Sequence, residues 1–391
     1  MEKTPLSMRK HIAIVGKTNA GKSTLFNHFI GQNSAIVSPI EGTTTDANTK
    51  AMELIPYGPV ALIDTAGLAD QTALGKERTE KTMEILKRCD LLLYLSDATA
   101  PAESIDVNIN TPYIKVYTKC DLLTEEERAA LARKEAEAIL IDQTPAGYER
   151  LRNRMVKELQ KQMQENQTLL GDLLPSHSTV LLVTPIDDAA PKGRLILPQV
   201  QVLRDCLDHD IKAVVTKENT LKEVLSEVNK IDLVVTDSQA FHVVNDIVPQ
   251  DIPLTSFSML LARQKGDFAE MKKGAETIPS LKENAKILVL EGCTHNTTHN
   301  DIGRKKIPSL LQKITGKTLR FTYCTGYQFP EDIRSYSLII SCGMCMINRQ
   351  EVQSRINICR ENKVPITNYG MVLALGNGIL HRACQIFGDK V

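Results

Sequence analysis

Residues 16–23, Gly16-Lys17-Thr18-Asn19-Ala20-Gly21-Lys22-Ser23, fit the pattern G-x-x-x-x-G-K-[ST] without a mismatch. Before them runs an apolar, β-branched segment, His11-Ile12-Ala13-Ile14-Val15; after them a helical pattern extends from 22 to about 30. A glycine-rich turn between a strand and a helix lets backbone N–H groups face inward around phosphate oxygens, and the helix N-terminus adds a favourable dipole. The run through Thr24 is therefore read as a phosphate cradle. Lys22 would reach the β- and γ-phosphates and Ser23 would ligate magnesium. The rhythm continues with strand candidates at 60–63, 91–95 and 113–117, separated by crossover-length sequence. That predicts a mostly parallel sheet with helices on both faces.

Three further segments follow in order. Asp64-Thr65-Ala66-Gly67 ends the second strand, where Asp64 would hold magnesium through water and the Gly67 N–H would sense the γ-phosphate. Gly42-Thr43-Thr44-Thr45-Asp46 reads as a switch whose Thr44 closes on magnesium. Thr118-Lys119-Cys120-Asp121 ends the fourth strand; the Asp121 carboxylate can accept two hydrogen bonds from guanine, which adenine cannot supply, and the Lys119 stem can stack on the base. In combination these point to GTP. Over residues 10–140 the chain resembles the translation-factor-type GTPases, especially the bacterial tRNA-modification and ribosome-assembly branch. Leu68 stands where Ras-like members carry a water-orienting Gln, so hydrolysis needs another charge stabiliser. Asn19 occupies the place of the Asn that binds K⁺ in potassium-activated members, or else serves as a turn residue. Thr118 replaces the usual Asn of the guanine motif. A Ser-Ala motif after it has no clean match; the segment 139–144 stands about where it belongs.

Helical patterns at 124–138 and 148–170 follow, and 171–177 reads as a linker. The α/β rhythm then restarts, with strand candidates at 180–183, 213–216 and 233–236 and a helical stretch at 258–273. A last part has strand candidates at 286–290, 319–323 and 338–340. The fold expected is α/β in three domains: a P-loop GTPase domain over 1–170, then small open α/β sheets over 171–279 and 280–391. Lys+Arg and Asp+Glu both number 47, which gives no support to a polyanion-coating protein, and the absence of Trp leaves few stacking platforms for nucleic acid. No apolar run approaches the ~20 residues that span a bilayer, and no signal-peptide core is visible, so a cytoplasmic protein is expected.

In that compartment the nine cysteines suggest metal or redox chemistry rather than disulfides. Cys89, Cys206, Cys324, Cys359 and Cys384 sit in apolar or amphipathic runs and read as small core residues; Cys120 lies inside the guanine motif. Cys293-Thr294-His295 and Cys342-Gly343-Met344-Cys345 each follow a strand candidate, and loops at one edge of an open α/β sheet can converge. Three readings stand at this point: unrelated cysteines, zinc on Cys293, His295, Cys342 and Cys345, or an iron–sulfur cluster on three cysteines. Spacing alone leans slightly to zinc.

A P-loop GTPase followed by Cys-x-His and Cys-x-x-Cys resembles the HydF family, the GTPase scaffold of iron-only (FeFe) hydrogenase maturation. Further matching stretches are Pro185-Ile186-Asp187, the run 190–199, Asp301-Ile302-Gly303-Arg304 and Pro365-Ile366-Thr367-Asn368-Tyr369-Gly370. The resemblance implies a 4Fe–4S cluster on Cys293, Cys342 and Cys345 and a dimerising middle domain, hence a homodimer. It implies a carrier that holds a transient diiron cluster precursor and delivers it to the FeFe-hydrogenase apoprotein, with the two radical-SAM maturases as partners and no membrane or nucleic-acid partner. Ser341 replaces the His that many members have before C-x-x-C. The fourth iron position is expected to be exchangeable, with His295 or Glu291 as alternative ligands; Glu291 shares a strand face with Cys293. The rival reading is a ribosome- or RNA-associated GTPase with a structural zinc domain. A metal-sensing switch without delivery has the same motifs.

Overall fold

The computed structural model describes residues 4–32, 38–39, 48–65, 82–100, 111–142, 144–163, 168–185, 195–292 and 302–390. The chain divides into two compact units, residues 1–166 and 167–391.

The first unit is built on a seven-stranded sheet in the order β2-β3-β4-β1-β5-β6-β7. Its strands are β1 (Lys10–Gly16), β2 (Ser38–Pro39), β3 (Asn48–Leu54), β4 (Gly58–Asp64), β5 (Leu91–Asp97), β6 (Tyr113–Thr118) and β7 (Ile139–Leu140). β1 pairs in parallel with β4 and β5, and β6 and β7 continue in parallel; β3 runs antiparallel to both of its neighbours. β1 is apolar throughout because both of its faces are covered. Ile12 and Ile14 enter one core with Phe26, Phe29 and Leu151, whereas Ala13 and Val15 enter another with Ile63, Ile85 and Leu86. This is the period of two of a strand buried on both sides. The antiparallel β3 was hidden in the sequence by its mixed residues, Asn48-Thr49-Lys50-Ala51-Met52-Glu53-Leu54. The helix Glu125–Lys134 is fixed by a capping box, in which the Thr124 hydroxyl accepts from Glu127 N–H and the Glu127 carboxylate accepts from Thr124 N–H.

The second unit holds two four-stranded sheets, ordered β11-β10-β8-β9 and β13-β12-β14-β15. The first comprises β8 (Thr179–Val183), β9 (Lys212–Thr216), β10 (Leu233–Thr236) and β11 (Leu254–Ser256). The second comprises β12 (Lys286–Glu291), β13 (Arg320–Thr325), β14 (Leu338–Ser341) and β15 (Ile366–Asn368). Every pairing in both is parallel. The two small open sheets expected after the GTPase domain are both present, and the buried residues of 167–391 form a single hydrophobic cluster from Leu169 to Phe387 that runs through both. Two local features account for this. First, the chain is anchored where the expected linker begins: Leu169 and Leu170 just before it and Leu174 within it are buried, although Asp172 and 175–177 are exposed, and the N–H groups of Leu169, Leu170 and Gly171 donate to the Asp205 carboxylate. Second, the helical stretch expected over 258–273 is two helices, Phe257–Lys265 and Phe268–Glu276, the second capped by Asp267, which accepts from Glu270 N–H. This second helix lies against the last sheet so closely that a Cβ on Gly274 would be 2.0 Å from the Ile366 carbonyl oxygen.

No helix among the described residues is long and apolar enough to cross a membrane.

Candidate functional site

β1 is where the first sheet changes direction of growth, with β4 on one side and β5 on the other. Such a switch point opens a crevice at the carboxyl ends of the strands, and 16–23 lies there. Gly16 has φ +153°, and a Cβ on it would lie 2.4 Å from the Leu95 carbonyl oxygen, so no side chain fits. Asn19 has φ 64°, a left-handed conformation that Asn tolerates better than most residues, which supplies a backbone reason for its presence. Lys22 is buried and its Nζ donates to the carbonyl oxygens of Gly16 (3.0 Å) and Lys17 (2.7 Å), so the ammonium is held inside the turn. Burial pushes the Lys22 pKa down and the neighbouring Asp64 carboxylate opposes this.

The donor set fits a divalent cation. Ser23 Oγ donates to Asp64 Oδ2 at 3.0 Å, and Asp64 Oδ1 is buried without a hydrogen-bond partner among the described residues. Burial raises the Asp64 pKa, against the Ser23 hydrogen bond and Lys22. A cation at Ser23 with its water on Asp64 would satisfy that oxygen. Thr44 and Gly67 lie outside the described residues.

The segment expected to read the base, 118–121, sits at the end of β6, and the structure gives Thr118 a role the sequence did not show. Its hydroxyl donates to the Ala20 carbonyl (3.0 Å), tying the guanine motif to the phosphate turn. Lys119 has φ 58°, and its Nζ donates to Asp97 Oδ2 at 2.5 Å, an anchor missed in the sequence, which leaves the aliphatic stem as apolar surface. Asp121 is exposed, as a carboxylate that reads a base must be. The expectation for 139–144 acquires geometry: β7 pairs with β6, and the Ile141 carbonyl accepts from Cys120 N–H at 3.1 Å. Asp142 next to it is held down at about 2, first by the Thr144 hydroxyl and then by Arg128, with burial opposing.

The last sheet has a switch point of its own. β12 lies between β13 and β14, so the carboxyl ends of β12 and β14 bound the crevice. Glu291-Gly292 leave β12 there, and Cys342-Gly343-Met344-Cys345 leave β14. The Cys342 Sγ accepts from Gly292 N–H (3.0 Å) and Met344 N–H (3.4 Å), the latter with Met344 at φ 52°. Burial, followed by the nearby Cys345, raises the Cys342 thiol, and these two N–H groups oppose the rise. The two backbone N–H groups favour the thiolate, the form a metal ligand takes, and so work against the burial that holds the free thiol up. Cys293 and His295 lie outside the described residues, Cys293 directly after Gly292. Beneath the turn is Lys265, 5% exposed, whose Nζ donates to the carbonyl oxygens of Met344 (3.1 Å), Cys345 (3.1 Å) and Ile347 (2.8 Å). Burial lowers its pKa to about 8, with Cys345 and Cys342 opposing. Nothing near it in the chain hints at this role, because its partners are some 80 positions away. Glu291 Oε2 is held by Arg304 at 3.1 Å. Cys89, Cys206, Cys359 and Cys384 are buried as expected of core residues; Cys324 is only partly covered.

Comparison with known proteins bears on both sites. The family profile described as the hydrogen maturase F tetramerization domain matches residues 269–386, and the hydrogen maturase F dimerization domain matches 169–266. Residues 11–122 match the profile of a 50S ribosome-binding GTPase. The tRNA modification GTPase MnmE of Bordetella avium is 40% identical over 130 residues, 31% of this chain and 28% of that protein. GTPase Der of Kosmotoga olearia is 34% identical over 150 residues, 35% of this chain and 34% of that protein. The chain thus spans about a third or less of the length of these curated relatives. Among solved structures, the G domain of the T. maritima FeoB iron transporter aligns with a TM-score of 0.31 and 21% identity, over 39% of this chain and 99% of that chain. The two hydrogen maturase F profiles meet at residues 266 and 269 and together take in more than half of the 391 residues; ahead of them stands a GTPase domain, and the chain belongs to the hydrogen maturase F family.

Proposed function

We propose that this chain is a GTP-hydrolysing scaffold that carries a 4Fe–4S cluster on Cys293, Cys342 and Cys345. Its cargo would be a diiron precursor delivered to the FeFe-hydrogenase apoprotein, with the two radical-SAM maturases as the other partners. The observation that carries the reading is the convergence at the second switch point. Gly292, which leads into Cys293, and the Cys342–Cys345 turn come off adjacent strand ends, with Cys342 Sγ receiving two backbone N–H groups. Three thiolates leave one position open, for His295, Glu291 or an exchangeable ligand. The cluster supplies a docking point for the cargo; the residues described here hold the turn in place and balance its charge. Magnesium would sit on Ser23 and Thr44 with Asp64, and K⁺ beside Asn19. Self-association is supported by the domains that the two family profiles name. It is also supported by the exposed apolar side chains Val200, Leu207 and Val215 on one helix and edge strand of the middle sheet.

Anaerobic reconstitution with iron and sulfide is expected to give brown protein with roughly four iron per chain and a cubane-type EPR signal after reduction. Stoichiometric zinc with no iron uptake would instead support the ribosome-associated reading, which the profile over 11–122 favours for that segment alone. The cation has its own check. Replacing K⁺ by Na⁺ should slow GTP hydrolysis about 10-fold or more, and Asn19→Ala should erase the difference. A wild type indifferent to the cation would refute K⁺ activation.

A further inference from the structure

Two of the sequence stretches that match the family, Asp301-Ile302-Gly303-Arg304 and Pro365–Gly370, have no part in the sites above except through Arg304. The fold brings them together. Tyr369 follows β15, and the residue is 8% exposed. Its hydroxyl is buried, with no hydrogen-bond partner among the described residues. It comes so close to Gly303 that a Cβ there would be 2.2 Å from Tyr369 Oη and 2.9 Å from Glu291 Oε1. Gly303 lies in a π-helical turn, Ile302–Lys306, a conformation that recurs at functional sites. Arg304 closes the other side, paired with Glu291 and lying 4.8 Å above the Tyr323 ring. Asn368 pairs with Ser341, so Tyr369 and Cys342 leave adjacent strand ends at the same level of the crevice.

A buried hydroxyl without a partner is costly, and Phe would fill the same space at no such cost. A glycine kept beside it leaves room for the oxygen alone. These two observations on different segments point to a hydrogen-bond acceptor that arrives from outside the chain. We propose that the Tyr369 hydroxyl is a positioning donor for the exchangeable ligand held beside Cys342. That ligand would be a small anion or lone-pair donor that keeps an acceptor atom toward the phenol. Glu291 would be kept off the phenol by its pairing with Arg304. The inference rests on the scaffold reading above.

The test compares wild type, Tyr369→Phe and Gly303→Ala, with cyanide as the probe ligand. In the metal-free protein, Tyr369→Phe should melt at the wild-type temperature or above it, because the hydroxyl it removes has no partner. In the reconstituted protein, iron content and EPR intensity should match wild type, while cyanide titration followed by EPR should show binding weakened about 10-fold, the worth of one such hydrogen bond. Gly303→Ala, which keeps the phenol but displaces its oxygen, should show the same weakening. Equal cyanide affinity in wild type and Tyr369→Phe overturns the inference while leaving the scaffold reading intact. A clear loss of melting temperature in metal-free Tyr369→Phe also overturns it, since the hydroxyl would then be structural. A wild type that takes up no iron overturns the scaffold reading and this inference with it.

Discussion

Lys22→Ala is expected to lower GTP hydrolysis by about three orders of magnitude, while iron uptake by the reconstituted protein stays at the wild-type level. The size follows from what Lys22 does in the turn. Its ammonium is held by the Gly16 and Lys17 carbonyls inside the phosphate cradle, where burial has already stripped part of its water. A preorganised cation aimed at developing phosphate charge in a water-poor site is worth about 10²–10³ in rate, and here it acts together with the cation at Ser23. The selectivity follows from the division of the chain, since Lys22 belongs to 1–166 and the cysteine turn to 167–391. Phosphate release gives the first number and iron analysis the second. Hydrolysis within tenfold of wild type would remove the catalytic role assigned to Lys22. Parallel loss of iron would show that the two units do not work as separate sites.

The second large effect is expected at Lys265. Lys265→Met keeps most of the stem volume and removes the ammonium from three carbonyl oxygens of the Met344–Ile347 turn. Buried carbonyls that lose a charged donor cost about 1–3 kcal/mol each, offset in part by no longer burying a charge; a net of about 3 kcal/mol is reasonable. That energy protects the turn from local opening, so the thiols of Cys342 and Cys345 in the metal-free variant should react with an aromatic disulfide about 10²-fold faster. Iron uptake on reconstitution should drop with it. Unchanged thiol reactivity would mean that the turn holds its shape without Lys265.

Much of this was legible in the sequence for a physical reason: strands buried on both faces read as short apolar runs, and the motifs hang on their ends. β1, β4, β5 and β6, and the strands leading to Gly292 and Cys342, were found that way. β3 was not, because its partly exposed Lys50 and Glu53 interrupt the apolar run. The stretch after 170 looked like a linker because its glycine and proline are local signals, whereas the carboxylate that caps it, Asp205, is far away in sequence. The same limit hid the residues that shape the sites. Thr118 looked like a defect of the guanine motif until its hydroxyl was seen on the Ala20 carbonyl. Lys265 carries no motif, and the matching stretch that holds Tyr369 names no chemistry; both acquire meaning only from carbonyls, a glycine and a carboxylate that the fold delivers.

The backbone approach between Gly274 and Ile366 has a consequence for how such a chain can be recombined. A helix that enters from the end of one sheet and touches the backbone of the other makes these two sheets poor candidates for exchange as separate cassettes. A chimaera joined at 266 would have to match a foreign helix to a native strand at atomic contact, and would also sever Lys265 from the turn it supports. Joined at 166, both partners travel together. For the cysteine site, the piece that has to be moved whole is therefore 167–391.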